Sequence, residues 1–222
     1  MTTPPLDFDV LDRDGALAET LGLTRAGFLA AVGAGTGALL LGPTPAALGQ
    51  GKGDVAILNY ALSLEFLQAE FYTEAQRAKA LKGKAKGAAE VVGAVERAHV
   101  KAFKALLGRK AIKRPRFDFQ GVTEDSGNFL KTAVAFEDLA VAAYKGAAIG
   151  IKSDKILASA LGIHTVEARH AAWMRYLNGN QPAVAALDDG RSRDSVRTTV
   201  RRTGFVSAAP RTRSRRRPRY TG

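Results

Sequence analysis

The chain has 222 residues, 46% of them hydrophobic, and a formal net charge of +12. That length suffices for one sizeable buried core plus tails. The absence of Cys excludes disulfides, thiol catalysis and Cys-ligated zinc.

Residues 1–50 hold two basic and five acidic residues, a charge of −3. Thr24-Arg25-Ala26-Gly27-Phe28-Leu29 leads into an apolar, Gly- and Ala-rich run from Ala30 to Leu41, and Ala47-Leu48-Gly49 offers small residues before Gln50. The run suits the apolar region of an export signal better than a membrane span. The segment looks like a twin-arginine signal with one arginine, which predicts export to the periplasm or cell envelope and a mature protein starting near Gln50. The alternative is a cytoplasmic arm.

Apolar periodicity predicts four long helices, at about 54–81, 87–108, 126–149 and 153–178, and a short fifth over about 192–203. Gly83 and Gly87 mark the first turn. Gly108 and Gly179 are placed as C-terminal caps and Ser153 as an N-cap. Between the second and third helices lies Arg109 to Asp125, with Pro115 and little periodicity. A connection of that length suits an end-to-end crossover. The expected organisation is a helical domain over 51–190, a short helix over 191–206 and a basic tail over 207–222.

The first and third helices repeat each other. Ala61 to Leu67, Tyr72 and Ala75 align with Ala133 to Leu139, Tyr144 and Ala147 at an offset of 72 residues. The second and fourth repeat at an offset of 71, with Glu96, His99, Leu106 and Gly108 over Glu167, His170, Leu177 and Gly179. Each half is therefore a helical hairpin that cannot bury its apolar stripe alone, and two hairpins make an antiparallel four-helix bundle.

Six residues in this repeat read as one metal site: Glu65, Glu96, His99, Glu137, Glu167 and His170. Two Glu-x-x-His pairs, Glu96/His99 and Glu167/His170, place both side chains on one helix face. Single glutamates stand 31 and 30 residues before them, inside apolar stretches where solvated charge is not expected. Two single Glu plus two Glu-x-x-His is the donor set of dinuclear carboxylate bundles. Glutamate is a hard oxygen donor and imidazole suits iron, manganese or zinc, and metal is the natural counterion for four close carboxylates. Two iron ions, with manganese as the other candidate, are the predicted cofactor. Glu96 and Glu167 are expected to bridge the two ions, with Glu65 and Glu137 terminal and His99 and His170 each capping one ion. Tyr72 and Tyr144 fall seven residues after a site Glu, about 10 Å along the axis. They are too far to ligate on their own helix, and are placed as hydrogen-bond partners of carboxylates on a neighbouring one. The alternative for each is a core Tyr with its hydroxyl satisfied elsewhere. His164, three residues before Glu167, reads as a surface or core residue, with a partner of the site carboxylates as the alternative; Glu70 and Glu74 read as solvated, and Trp173 as core.

The chain resembles bacterial ferritin-like domain proteins of the desiccation-related type over about residues 54–206. The residues that carry this are Leu58-Asn59-Tyr60-Ala61-Leu62 with Glu65 and Phe71-Tyr72, then Phe117-Asp118-Phe119 and Phe136-Glu137-Asp138. Ala143-Tyr144-Lys145-Gly146, Glu167-Ala168-Arg169-His170-Ala171-Ala172 and Thr203-Gly204-Phe205-Val206 complete it. The resemblance implies an all-α, ferritin-like fold and a di-iron centre. The more distant rubrerythrins are similar in ligand spacing. They carry a Cys-rich module and a further carboxylate on the third helix, whereas this chain has no Cys and Ala140 stands three residues after Glu137. These departures speak against a rubrerythrin-type electron path.

The expected chemistry is Fe(II) oxidation or reduction of O2 or peroxide in protection from oxidative stress. Two other classes stay open: a structural or metal-binding stress protein without catalysis, and a protective protein associated with DNA or an anionic surface. Residues 191–222 hold eleven basic residues and one acidic residue, a charge of +10 ending in an Arg-rich run, and could contact nucleic acid, anionic lipid or an acidic polymer. Homo-oligomerisation is open as well.

Overall fold

A computed structural model describes residues 51–207. The expectations for residues 1–50 and for the tail beyond residue 207 lie outside the described residues.

Four long helices form the bundle: α1 (Lys52–Ala78), α2 (Gly83–Leu107), α3 (Ser126–Ala148) and α4 (Asp154–Leu177). A shorter helix, α5 (Arg193–Thr203), follows. Helix α1 packs chiefly on α2 and α3 on α4, so the fold is the all-α pair of hairpins that the repeat predicts. The helix starts have local causes. The Asp125 carboxylate accepts from Asn128 N at 2.8 Å, and Ser153 and Ser192 cap α4 and α5 in the same way. Asp54, in the first turn of α1, is buried and accepts from Lys152 N and Ser153 N, which ties the start of α1 to the start of α4.

Two boundaries differ from expectation. The first turn closes before Gly83, and Gly87 lies inside α2 rather than in the turn. Buried Ala85, Ala88 and Ala89 explain this, since alanine favours the helix and its small side chain lets α2 approach its neighbours. Gly83 starts α2 at φ +53°, a conformation that glycine adopts without strain. At the far end Asn178 is the cap of α4 and Gly179, at φ +76°, follows it.

The crossover runs along α1. Asn59 donates to Lys110 O and accepts from Ile112 N; Arg114 pairs with Glu70; Thr123 donates to Glu74 at 2.8 Å. Glu70 and Glu74 are therefore not free solvated charges but attachment points for the crossover. Within it, β1 (Arg116–Phe117) pairs antiparallel with β2 (Val206–Ser207), and Asp118 N donates to Phe205 O. The rings of Phe71, Phe119, Phe129, Phe136 and Phe205 pack together at this end of the bundle, with centroid separations of 5.1–6.0 Å.

The apolar core comes in two main parts along the bundle. One holds Leu67, Phe71, Tyr72, Ala85, Ala88, Ala89, Val92, Phe129, Ala133, Phe136 and Met174. The other holds Leu58, Leu62, Phe66, Phe103, Leu107, Tyr144 and Ile156. On each helix the candidate site residues fall between these parts or at their border. Trp173 is not core: it is 36% exposed. The buried face of α4 runs through Glu167, His170, Ala171 and Met174, and position 173 lies beside that stripe.

Candidate metal centre

All six residues singled out from the spacing converge in the middle of the bundle. Glu65, Glu96, Glu137 and Glu167 are fully buried, and His99 and His170 are 9% and 7% exposed. Their donor atoms form two groups: Glu65, Glu96, His99 and Glu167 in one, and Glu96, Glu137, Glu167 and His170 in the other. Within each group the atoms lie within 4.8 Å of one another, and Glu96 and Glu167 belong to both.

The contacts are close but unsatisfied. His99 Nδ1 lies 3.2 Å from both Glu65 and Glu167, and His170 Nδ1 lies 2.9 Å from Glu96. None of these contacts has hydrogen-bond geometry. Glu65 Oε2, both Glu96 oxygens, Glu167 Oε1 and both Nδ1 atoms are buried without a hydrogen-bond partner. Leaving one such group unpaired costs about 1–3 kcal/mol, and six in one place are not tolerable without a further partner. Six orphaned donors of carboxylate and imidazole type, aimed at one another in two overlapping groups, fit divalent metal ions as that partner.

The other carboxylate oxygens are held by protein. Tyr72, on α1, donates across to Glu137 at 2.5 Å, and Tyr144, on α3, donates across to Glu65. Burial, then the neighbouring Glu137 or Glu65, pushes both phenols well above their usual range, so they remain donors. Gln68 donates to Glu137 at 3.0 Å and to Glu167 at 3.2 Å. Sequence reasoning missed Gln68. Its signal was available, because it stands three residues after Glu65 on the same helix face. The repeat hid it, since the equivalent position in α3 is Ala140. His164 is only half-buried and lies outside the cluster, one turn before Glu167.

Without metal the electrostatics are those of a crowded anionic pocket. Burial raises Glu65 to about 7 against the pull of His99. Burial, then Glu96, raises Glu167 well above the carboxylate range. Burial would also raise Glu96, but the two imidazoles outweigh it and bring Glu96 down to about 2. Burial disfavours charge on the imidazoles, yet the carboxylates win: His99 is raised well above its ordinary value and His170 to about 10. In the metal-free chain, protons therefore do the work of cations here.

Residues 53–180 match the family described as Ferritin-like domain, more than half of the chain. The chain belongs to that family. Among curated proteins no match is found.

Proposed function

We propose that this is a ferritin-like di-iron carboxylate protein of the desiccation-related type, working in protection from oxidative stress. Glu65, Glu96, His99, Glu137, Glu167 and His170 are the residues that would hold two iron ions, and manganese suits the same donors. Bound iron would supply redox chemistry, Fe(II) oxidation coupled to reduction of O2 or peroxide. The single observation that carries this reading is the set of buried, unpartnered donor atoms shared between two overlapping groups.

The chain's own residues do the rest. Glu96 and Glu167, common to both groups, are the residues that would be held in common by two ions. Glu65 with His99, and Glu137 with His170, would complete the two groups. Tyr144 and Tyr72 each hold one oxygen of Glu65 and Glu137, which fixes these side chains across the bundle. Gln68 fixes Glu137 and Glu167. The apolar walls exclude bulk water, and protons on His99, His170, Glu65 and Glu167 would leave as cations entered. The bundle over 51–190 is the functional unit, with 191–206 as an added helix packed on α1 and α3 through buried Val196.

Elemental analysis after anaerobic Fe(II) loading tests the reading. Two ions per chain are expected, near-complete loss in His99→Ala/His170→Ala, and a measurable rate of Fe(II) oxidation in air. Binding of two ions without oxidation would leave a non-catalytic metal protein. One ion, or retention of two in the double variant, would overturn the dinuclear assignment.

A further inference from the structure

The internal repeat relates the hairpin of α1 and α2 to that of α3 and α4, and at the centre the two halves match except at one side chain. Tyr144 holds Glu65 by Oε1, and Tyr72 holds Glu137 by Oε1. The other oxygen of each glutamate approaches an imidazole. Glu65 Oε2 lies 3.2 Å from His99 Nδ1, and Glu137 Oε2 lies 3.6 Å from His170 Nδ1. The match ends at that inner oxygen. Gln68, on α1, donates to Glu137 Oε2 at 3.0 Å and to Glu167 Oε2 at 3.2 Å. At the repeat offset of 72 its counterpart is Ala140, which is buried and carries no donor. The inner oxygen of Glu65 receives no hydrogen bond.

The free donor atoms are therefore divided unevenly. Glu65 Oε2 and Glu167 Oε1 stand 3.2 Å from His99 Nδ1, and Glu96 Oε2 stands 3.6 Å from it. All four of these atoms lack a hydrogen-bond partner. Near His170 Nδ1, Glu96 Oε1 at 2.9 Å is also free, but Glu137 Oε2 carries the Gln68 amide. Glu167 completes the second group, and its Oε2 carries the same amide. An N–H on a buried carboxylate oxygen offsets part of the charge that draws in a cation. A cation entering beside His170 must share these oxygens with the amide or turn it away. One entering beside His99 meets four open donors.

From this we infer that the centre loads in a fixed order: the first divalent ion binds in the His99 group, the second binds more weakly in the His170 group, and Gln68 is the positioning residue that sets the order. This rests on the dinuclear reading above and adds a difference between the two ions that the donor set alone does not contain. Each group offers three carboxylates and one imidazole, so by composition the two would compete evenly. Repulsion between two cations weakens the second step, but it acts equally whichever group fills first. It cannot choose between them, and the amide can. Hydrogen bonds to charged groups are strong enough to set a preference of about tenfold or more.

Zn(II) is diamagnetic and accepts carboxylate and imidazole donors, so it serves as the probe. The full metal-free chain, labelled with 15N in its histidines, is titrated with Zn(II) alone. The imidazole signals are assigned from His99→Gln and His170→Gln, and His164, the third histidine, is the reference outside the cluster. At half an equivalent, about nine-tenths of the bound ion should report at His99, with His170 following beyond one equivalent. Gln68→Ala, which copies Ala140, should bring the two histidines toward equal response. Gln68→Met, which keeps the side-chain length without the donor, should do the same and covers the case in which the alanine variant does not fold. Equal response in the unaltered chain, or a response that begins at His170, overturns the proposal. So does an order that persists in the Gln68 variants. Saturation at two ions in any of these cases leaves the dinuclear reading standing. Saturation at one ion overturns that reading, and the order with it.

Discussion

Removing metal should make this protein least stable where most proteins are comfortable, and the structure says in which direction pH acts. Glu65 moves from 4.5 in the unfolded chain to about 7 in the fold, and His170 from 6.5 to about 10. Both are raised, so each contributes stability that is fully present below its unfolded value and is lost as pH rises through its folded value. Glu65 then withdraws support between pH 4.5 and about 7, and His170 between pH 6.5 and about 10. Glu96, lowered from 4.5 to about 2, acts the other way, with support present above 4.5 and lost toward 2. Stability of the metal-free chain should therefore peak near pH 4.5 and fall toward pH 8. At about 1.4 kcal/mol per pH unit, Glu65 supplies about 3 kcal/mol of that fall and His170 about 2 kcal/mol up to pH 8. For a domain of this size the sum corresponds to a drop in melting temperature on the order of 10 °C. Metal competes with the same protons, so the increment from Mn(II) or anaerobic Fe(II) should be small at pH 5 and large at pH 8. Scanning calorimetry at both pH values, with chelator and with metal, measures all four numbers. A metal-free melting temperature that is flat or rises from pH 5 to 8, with an equal increment from metal at both, would refute the protonated-cluster argument.

Three further changes probe separate parts of the fold. Tyr144→Phe leaves the Glu65 oxygen without its donor in a fully buried site and should cost about 1–3 kcal/mol in the metal-free chain by urea titration, while two metal ions still bind. Gly146→Ala should displace the segment at Arg191, because the new Cβ would overlap Arg191 O; a loss of about 1–3 kcal/mol and altered amide shifts at 188–192 are expected, and unchanged shifts would contradict the contact. Phe205→Ala removes a ring packed on Phe119 and Phe136 and should cost about 3–5 kcal/mol in thermal or urea unfolding, with faster proteolysis after residue 190.

The site was largely legible in the sequence because its chemistry is periodic. A Glu and a His three apart can only share a helix face, and two such pairs with two further glutamates in a repeated hairpin leave little freedom about where they meet. The helix count follows from the same periodicity and the crossover from its interruption. The seven-residue spacing of Tyr72 and Tyr144 from a site Glu left their bonds across the bundle as one of two readings, the one the structure shows. What the pattern could not carry was contact between elements far apart in the chain. Glu70 and Glu74 looked like solvated charges because their partners, Arg114 and Thr123, lie 44 and 49 residues away in a segment without periodicity. Trp173 looked like core because hydrophobicity does not say which side of a narrow buried stripe a residue stands on. Gln68 was overlooked for a different reason: attention to the repeat favours what the two halves share, and Gln68 is where they differ.

The band of six polar side chains also has a kinetic meaning. It separates the aromatic end of the core, locked by Phe119 and Phe205, from the end built on Leu58, Leu62, Phe103 and Ile156. Among the described residues the two ends share only the partly buried Phe117, so each end can loosen with little drag on the other. Slow amide exchange in the metal-free chain should then fall into two cooperative blocks, the aromatic one opening more rarely. Ions bonded to all four helices at the midpoint would splice the blocks into one, so that metal governs not only how stable the bundle is but whether it breathes in halves or as a whole.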